Sequence, residues 1–173
     1  MKEKLQVKAG QPLLSAEITA TLIECLKPGI LALLRQYRRE HLHIIVVDPV
    51  DRATIMFDGP AAGAVKDYAG DYRGIALKKA ELCARTGMDS HEVHERAPFL
   101  MTSGDVVYQG GVNYRGLVVA TSGAQAPVDE AVSLMIAAQL GAWCQVKVHE
   151  LQEGAAKGGP WLAPESGGRS PHS

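Results

Sequence analysis

Lys79 is the residue whose position asks for an explanation. It falls on the apolar stripe of a helical segment, one turn from Ile75, Ala76, Leu82 and Cys83. A lysine there is desolvated, with its pKa lowered, and is a candidate base or anion anchor. The alternative is a stem lying on the core with its ammonium reaching water or a carboxylate. Thr121-Ser122-Gly123 follows an apolar stretch and precedes a helix start. Small side chains there let a ligand approach the backbone, and the first helical turn offers unpaired N–H groups. Ser122 lacks the G-x-S-x-G setting of a nucleophile elbow and reads as a hydrogen-bond donor.

Asp48 ends an apolar segment and is the second acid/base candidate, with an Asx-type turn before Pro49 as its structural alternative. Asp58 reads the same two ways. Arg73, Arg96 and Arg115 are candidate carboxylate forks. Arg115 is nearest in sequence to the Ser-Gly loop and joins the expected ligand-binding set. His43, with His41, follows period two on a strand, and His91 and His94 are one turn apart on a helix. Both spacings suit metal or cofactor ligation, but neither brings a third ligand, so no metal site is expected. HEVHE is not HExxH, which excludes the zinc-protease reading.

The elements that must carry these residues follow from periodicity. Ser15 caps a helix with Ile18, Leu22, Leu26, Ile30 and Leu33 at helical spacing, and Pro28-Gly29 predicts a kink or two abutting helices. HLHIIVVD, residues 41–48, is a buried strand, and Ala53 to Phe57 pairs with it as a hairpin. Asp58 to Gly63 reads as a loop. Asp71 to Thr86 is a helix ended by Gly87, and Asp89 with Glu92 forms a capping box for a short helix. Asp105 to Gln109 and Arg115 to Ser122 read as a second hairpin turning at Gly110-Gly111. Pro127 opens a helix so apolar that it must be buried centrally or between subunits. Gln145 to Leu151 completes a set of about five strands.

The chain of 173 residues reads as a single domain over 1–153, with a disordered tail over 154–173 rich in Gly, Pro and Ser. A net charge of -1 and 5% aromatics give no reason to expect nucleic-acid binding. The three cysteines, without CxxC spacing, fit reduced thiols in a cytoplasmic protein. No apolar run suggests a signal peptide or membrane span.

Val46-Val47-Asp48, Asp58-Gly59, Lys79-Ala80, Gly110-Gly111-Val112, Ser122-Gly123 and Asp129, in that order, make the chain resemble the GlcG/HbpS-like family. This is the haem-degrading or DUF336 domain, found also at the C-terminus of PduO-type proteins. The resemblance covers roughly Leu14 to Trp143. It implies an α/β sandwich (α+β) with a mixed or antiparallel sheet, assembly into a homo-oligomer, and a small-molecule ligand. Haem or another tetrapyrrole leads; His43, His91 and His94 are the candidate cofactor-binding residues, Met101, Tyr108 and Cys144 are also chemically possible axial ligands, and the sequence does not select among them. The sequence departs from the family pattern at Asn113, where proline is usual, at Glu81, where threonine is usual, and in GLVVATSG, which lacks a glycine. A cofactor-independent enzyme acting on a small organic acid, through Lys79, Asp48 and Arg115, is the alternative. A third reading is an accessory subunit that binds a partner through its last helix.

Overall fold

The computed structural model describes residues 12–157. Its centre is a four-stranded antiparallel sheet of order β2-β1-β4-β3, with β1 at Leu42–Val47, β2 at Ile55–Ala62, β3 at Gly111–Tyr114 and β4 at Leu117–Ser122. Side-chain alternation gives the sheet two apolar faces. Leu42, Ile44, Val46, Leu117 and Val119 meet the helices α1 (Ala16–Gln36) and α4 (Ala126–Ala156). Ile45, Val47, Val118 and Ala120 meet α2 (Tyr72–Thr86), through Ala76, Ala80 and Cys83. A short helix α3 (Ser90–Arg96) follows α2. The class is α+β, a sheet between helical layers, with four strands where the sequence suggested about five.

Local signals fix most helix ends. Ser15 Oγ accepts from Ile18 N at 3.2 Å, Asp71 caps α2 through Gly74 N, and Gly87, at φ 74°, ends α2 in the left-handed conformation. The Asp89–Glu92 capping box forms as expected. Pro28 does not divide α1, which runs on through it. Pro28 and Glu24, whose carbonyl loses an N–H partner, are both exposed, so water replaces the missing bond.

Four strand and loop assignments change. Asp58-Gly59-Pro60 is strand, not loop: β2 is an edge strand, where proline needs no ladder N–H. Asp105 to Gln109 is not a strand. The second hairpin turns at Arg115-Gly116, whose φ values of 55° and 91° mark a two-residue type I′ loop. Gln145 to Leu151 is helix, since α4 continues to Ala156 and Lys147 lies over the Trp143 ring at 4.6 Å. The expected domain boundary at 153 therefore falls inside α4, and residues 158–173 of the expected tail lie outside the described residues.

Over an 18-residue window α4 has a mean hydropathy of 1.3, so by length and composition it passes for a membrane span. Val128, Val132, Ile136 and Leu140 are buried on the sheet, so one face of this helix belongs to the core. Its opposite side is open: Leu134 is 48% exposed, Met135 37% and Val146 54%. The helix is thus buried on one face only within the chain, and Met135 is not part of that face.

Asn113 shows what a departure from the family pattern does. Its N–H donates to Asp89 Oδ1 at 2.6 Å, a bond proline has no hydrogen to make. Its side chain accepts from Gly116 N at 3.0 Å and so braces the hairpin loop.

Candidate functional site

Lys79 is buried, 1% exposed, and its stem lies between α2 and the sheet. Its Nζ donates to the Thr121 carbonyl at 2.8 Å and to Asp129 Oδ2 at 2.9 Å. Thr121 is the next-to-last residue of β4 and Asp129 lies in the first turn of α4, so one side chain joins helices from opposite faces around the end of the sheet. Asp129 Oδ1 accepts from Ala124 N at 2.9 Å, and the Asp129 carbonyl accepts from Thr121 Oγ1 at 2.7 Å. Ser133 Oγ donates to the Gly110 carbonyl at 2.6 Å. Every member of this buried network therefore has a polar partner, as burial requires.

Glycines make room for it. A Cβ on Gly110 would stand 2.6 Å from Asp129 Cβ and 3.0 Å from Lys79 Nζ; one on Gly111 would meet Cys83 Sγ at 2.8 Å. The pair serves close approach, not a hairpin turn. Ser90 Oγ accepts from both glycine N–H groups at 3.0 Å and fixes the crossing.

Desolvation holds the Lys79 ammonium below its ordinary pKa, against the attraction of Asp129. Desolvation likewise raises the Asp129 carboxyl, opposed by Lys79 and by the N–H groups of Ala124 and Gly123. Both shifts narrow the difference in proton affinity between the two groups. Burial, with the charge of Asp89, pushes the Cys83 thiol up to about 12, so it is no nucleophile near neutral pH.

A cavity of about 210 Å³ opens onto this pair. Lys79, Asp129, Ser122, Gly123 and Ala124 form its polar end, with Tyr72 and Tyr108 among the remaining walls. Lys79 and the Thr121-Ser122-Gly123 loop are thus brought together, with Ser122 and Gly123 on the cavity wall. Two other expected members are not there. Arg115 sits at the hairpin tip, beyond Leu117, which is itself roughly 13 Å along the strand from Thr121 at about 3.3 Å per residue. It is held in the left-handed turn, with its guanidinium over the Tyr114 ring. Asp48 follows the far end of β1, whose His43 end pairs with Ser122, roughly 17 Å away on the same rise. Its Oδ1 accepts from Val50 N at 2.6 Å, an Asx turn.

The three histidines have separate partners. His43, 1% exposed, contacts Asp58 Oδ1 at 2.7 Å through Nε2 and the Tyr68 hydroxyl at 3.3 Å through Nδ1. Arg73 grips the same carboxylate through Nε, at 3.1 and 3.0 Å. Burial opposes ionisation of Asp58, but the bonds from Arg73 and His43 outweigh it and hold its carboxyl below the usual range. Stability from this cluster is therefore present above pH 3.8, the ordinary carboxyl value, and lost as pH falls through the lower folded value. Acid unfolding curves should show Asp58→Asn losing stability relative to the parent above pH 3.8, with the two curves converging below it.

His91 Nδ1 lies 3.0 Å from Glu130 Oε1, at ion-pair distance but outside the angular range of a hydrogen bond. It borders an open groove of about 320 Å³ with Pro127 and Leu134. His94 Nε2 meets the Val106 carbonyl at 3.2 Å. Among the described residues no group of three His, Cys, Asp or Glu side chains is arranged to hold a metal.

Asp129 is the site residue that sequence reasoning passed over. An acid in a first helical turn reads as a complement to the helix dipole. The signal that finds it is Lys79 itself, since a buried ammonium requires an anion.

No family model matches the sequence, and no curated protein does. Solved structures do. Klebsiella pneumoniae protein ORFY, assigned to DUF336, superposes with a TM-score of 0.53 at 16% identity, over 82% of this chain and 97% of that one. The fold is that of a DUF336 protein. The protein Ybr137w is also similar, with a TM-score of 0.49 at 18% identity, over 79% of this chain and 82% of its own. At 16% identity the likeness to ORFY speaks for the fold alone, and the chemistry rests on the site.

Proposed function

We propose that this DUF336-fold chain is a small-molecule-binding protein whose site is the cavity at the Lys79–Asp129 pair. The observation that carries this is the pair itself: a fully buried lysine and carboxylate meeting at a cavity wall. Hydrophobic residues in that place would serve stability as well or better, because desolvating two charges offsets most of their attraction. A pair kept at a cavity points to a role toward a ligand. The volume equals about seven waters of liquid, below the roughly 300–1,000 Å³ of sites for drug-sized ligands. A small organic molecule with one polar group and a short apolar part fits its mostly apolar lining.

The surroundings of the three candidate histidines favour a small organic ligand over haem. A tetrapyrrole needs an apolar slot with an axial ligand. His43 is held by Asp58 and Tyr68, His94 faces a backbone carbonyl, and His91 stands beside Glu130. Side-by-side titrations decide between the two ligands. Hemin should give a linear, unsaturable absorbance that is unchanged in His43, His91 and His94 variants. Members of a panel of small hydroxy- and oxo-compounds should raise the melting temperature saturably. That rise should vanish in the double variant Lys79→Met/Asp129→Asn, which contains no unpaired buried charge. A stoichiometric Soret shift lost in one histidine variant would restore the haem reading.

The same proposal includes a homo-oligomer formed through the outward face of α4. Ala131, Leu134, Met135, Ala138, Ala142 and Val146 recur there at helical spacing as an exposed apolar stripe. Met135→Glu should change the stability of an isolated chain by no more than about 0.5 kcal/mol, as at an ordinary surface position. Native mass spectrometry should show it lowering the assembly mass. An unchanged mass would remove this face from the interface.

A further inference from the structure

We propose that Lys79 forms an imine with a small uncharged aldehyde or ketone held in the Ser122–Ala124 cavity. This rests on the binding-site reading above and adds a covalent step and a substrate class to it.

Among the described residues Lys79 is the only fully buried lysine. Its ammonium has three hydrogens, and two acceptors engage it, the Thr121 carbonyl and Asp129. One hydrogen of the nitrogen therefore has no assigned acceptor, and Lys79 is one of the residues lining the cavity. A carbonyl carbon placed there would meet an amine whose proton acceptor, Asp129 Oδ2, is already 2.9 Å away. Desolvation, which lowers the Lys79 pKa, is the usual route to a nucleophilic lysine.

Charge selects the substrate. Among the described residues the cavity is lined by no cation except Lys79, and Asp129 already neutralises it. Arg73, next to the cavity residue Tyr72, is committed to Asp58. A free carboxylate would find no unpaired positive charge there, whereas an uncharged carbonyl compound would meet a lining that includes Tyr72, Tyr108, Gln109 and Ser122. Ile75 and Ala126 offer apolar contact for a short hydrocarbon chain.

The step balances without any further reactant. The Lys79 ammonium passes a proton to Asp129. The amine attacks the carbonyl carbon, a C–N bond forms, and the π pair moves to oxygen. Asp129 protonates that oxygen and then takes a proton from nitrogen. A second protonation by Asp129 releases the oxygen as water while the nitrogen lone pair closes the C=N bond. The products are a protonated imine on Lys79, the Asp129 carboxylate and one water, so the charge is the same at the end as at the start.

Reductive trapping on the intact wild-type protein tests this. Butanone is the probe, pyruvate the charged comparator, and cyanoborohydride the reductant near neutral pH. Peptide mapping should find an adduct on Lys79 with the mass of butanone less one oxygen. Exposed Lys78, next to it in sequence, is the internal control. Desolvation should favour Lys79 over Lys78 by about tenfold or more, and butanone should label Lys79 more than pyruvate does. The Lys79→Met/Asp129→Asn variant should leave only background labelling. Equal or greater labelling of Lys78 would overturn the proposal. A saturable rise in melting temperature with butanone, but no Lys79 adduct, would overturn the imine and leave the binding site standing. Neither signal, from butanone or from the wider panel, would remove both.

Discussion

Asp129→Asn will destabilise the domain by about 3–5 kcal/mol, the loss expected when one member of a buried ion pair is removed. Lys79 would keep only neutral acceptors, the Thr121 carbonyl and at best the Asn amide oxygen, in a site where 1% of the residue meets solvent. The loss should also depend on pH. Without the carboxylate, desolvation lowers the folded pKa of Lys79 further below 10.5, so the unfolded chain binds the proton more tightly. Stability of the variant relative to the parent should then recover as pH rises toward 10.5, because stability increases with pH wherever the unfolded state holds more protons. The double variant Lys79→Met/Asp129→Asn should regain most of the loss. Urea unfolding of the three proteins at two pH values reads all of this. A penalty below about 1 kcal/mol would instead describe a solvated surface pair.

Gly123→Ala comes next in size. Gly123 has φ 141°, and a Cβ there would stand 2.3 Å from the His41 carbonyl oxygen, backbone against backbone. The strained conformation alone costs about 1–3 kcal/mol, and the clash adds to it by pushing β4 from β1. The displaced loop carries Ser122 and Ala124, so saturable ligand binding should fall with stability. Gly87→Ala is the control. Gly87 also has positive φ, at 74°, but nothing within 4 Å of an added Cβ. It should lose no more than about 1 kcal/mol and leave binding alone. Equal losses at the two positions would show that backbone conformation, not the approach of β1, governs Gly123.

The helices and β1 were legible because their evidence is local. Ser15, Asp71, Gly87 and the Asp89–Glu92 box each act within one turn. The misread segments are those where tertiary context decides. Gly110-Gly111 resembles a hairpin turn, but the glycines are there to admit Lys79, Asp129 and Cys83. The real turn holds Arg115 in a conformation that usually draws Gly or Asn. Pro60 looks like a loop residue until β2 is known to be an edge. Gln145 to Leu151 alternates like a strand, yet α4 carries it onward as helix.

The site divides the same way. Lys79 was legible because a lysine on an apolar stripe must be accounted for wherever it goes. The Ser-Gly loop was legible from its place between a strand and a helix. Asp48 and Arg115 drop out through register, which sets them at the far ends of β1 and β4 from Thr121. No local pattern carries that information. Asp129 enters for the converse reason, since only the wrap of α2 and α4 around the end of the sheet pairs it with Lys79.

The central claim is that a small organic molecule binds at the Lys79–Asp129 cavity. Amide-resolved NMR titration with the best member of the hydroxy- and oxo-compound panel tests it most directly. The account predicts saturable shifts at Ser122, Gly123 and Ala124, with companion shifts at Tyr72 and Tyr108 across the cavity. Shifts confined to His91, Glu130 and Leu134 along the outer groove, with none at Ser122 to Ala124, would contradict it.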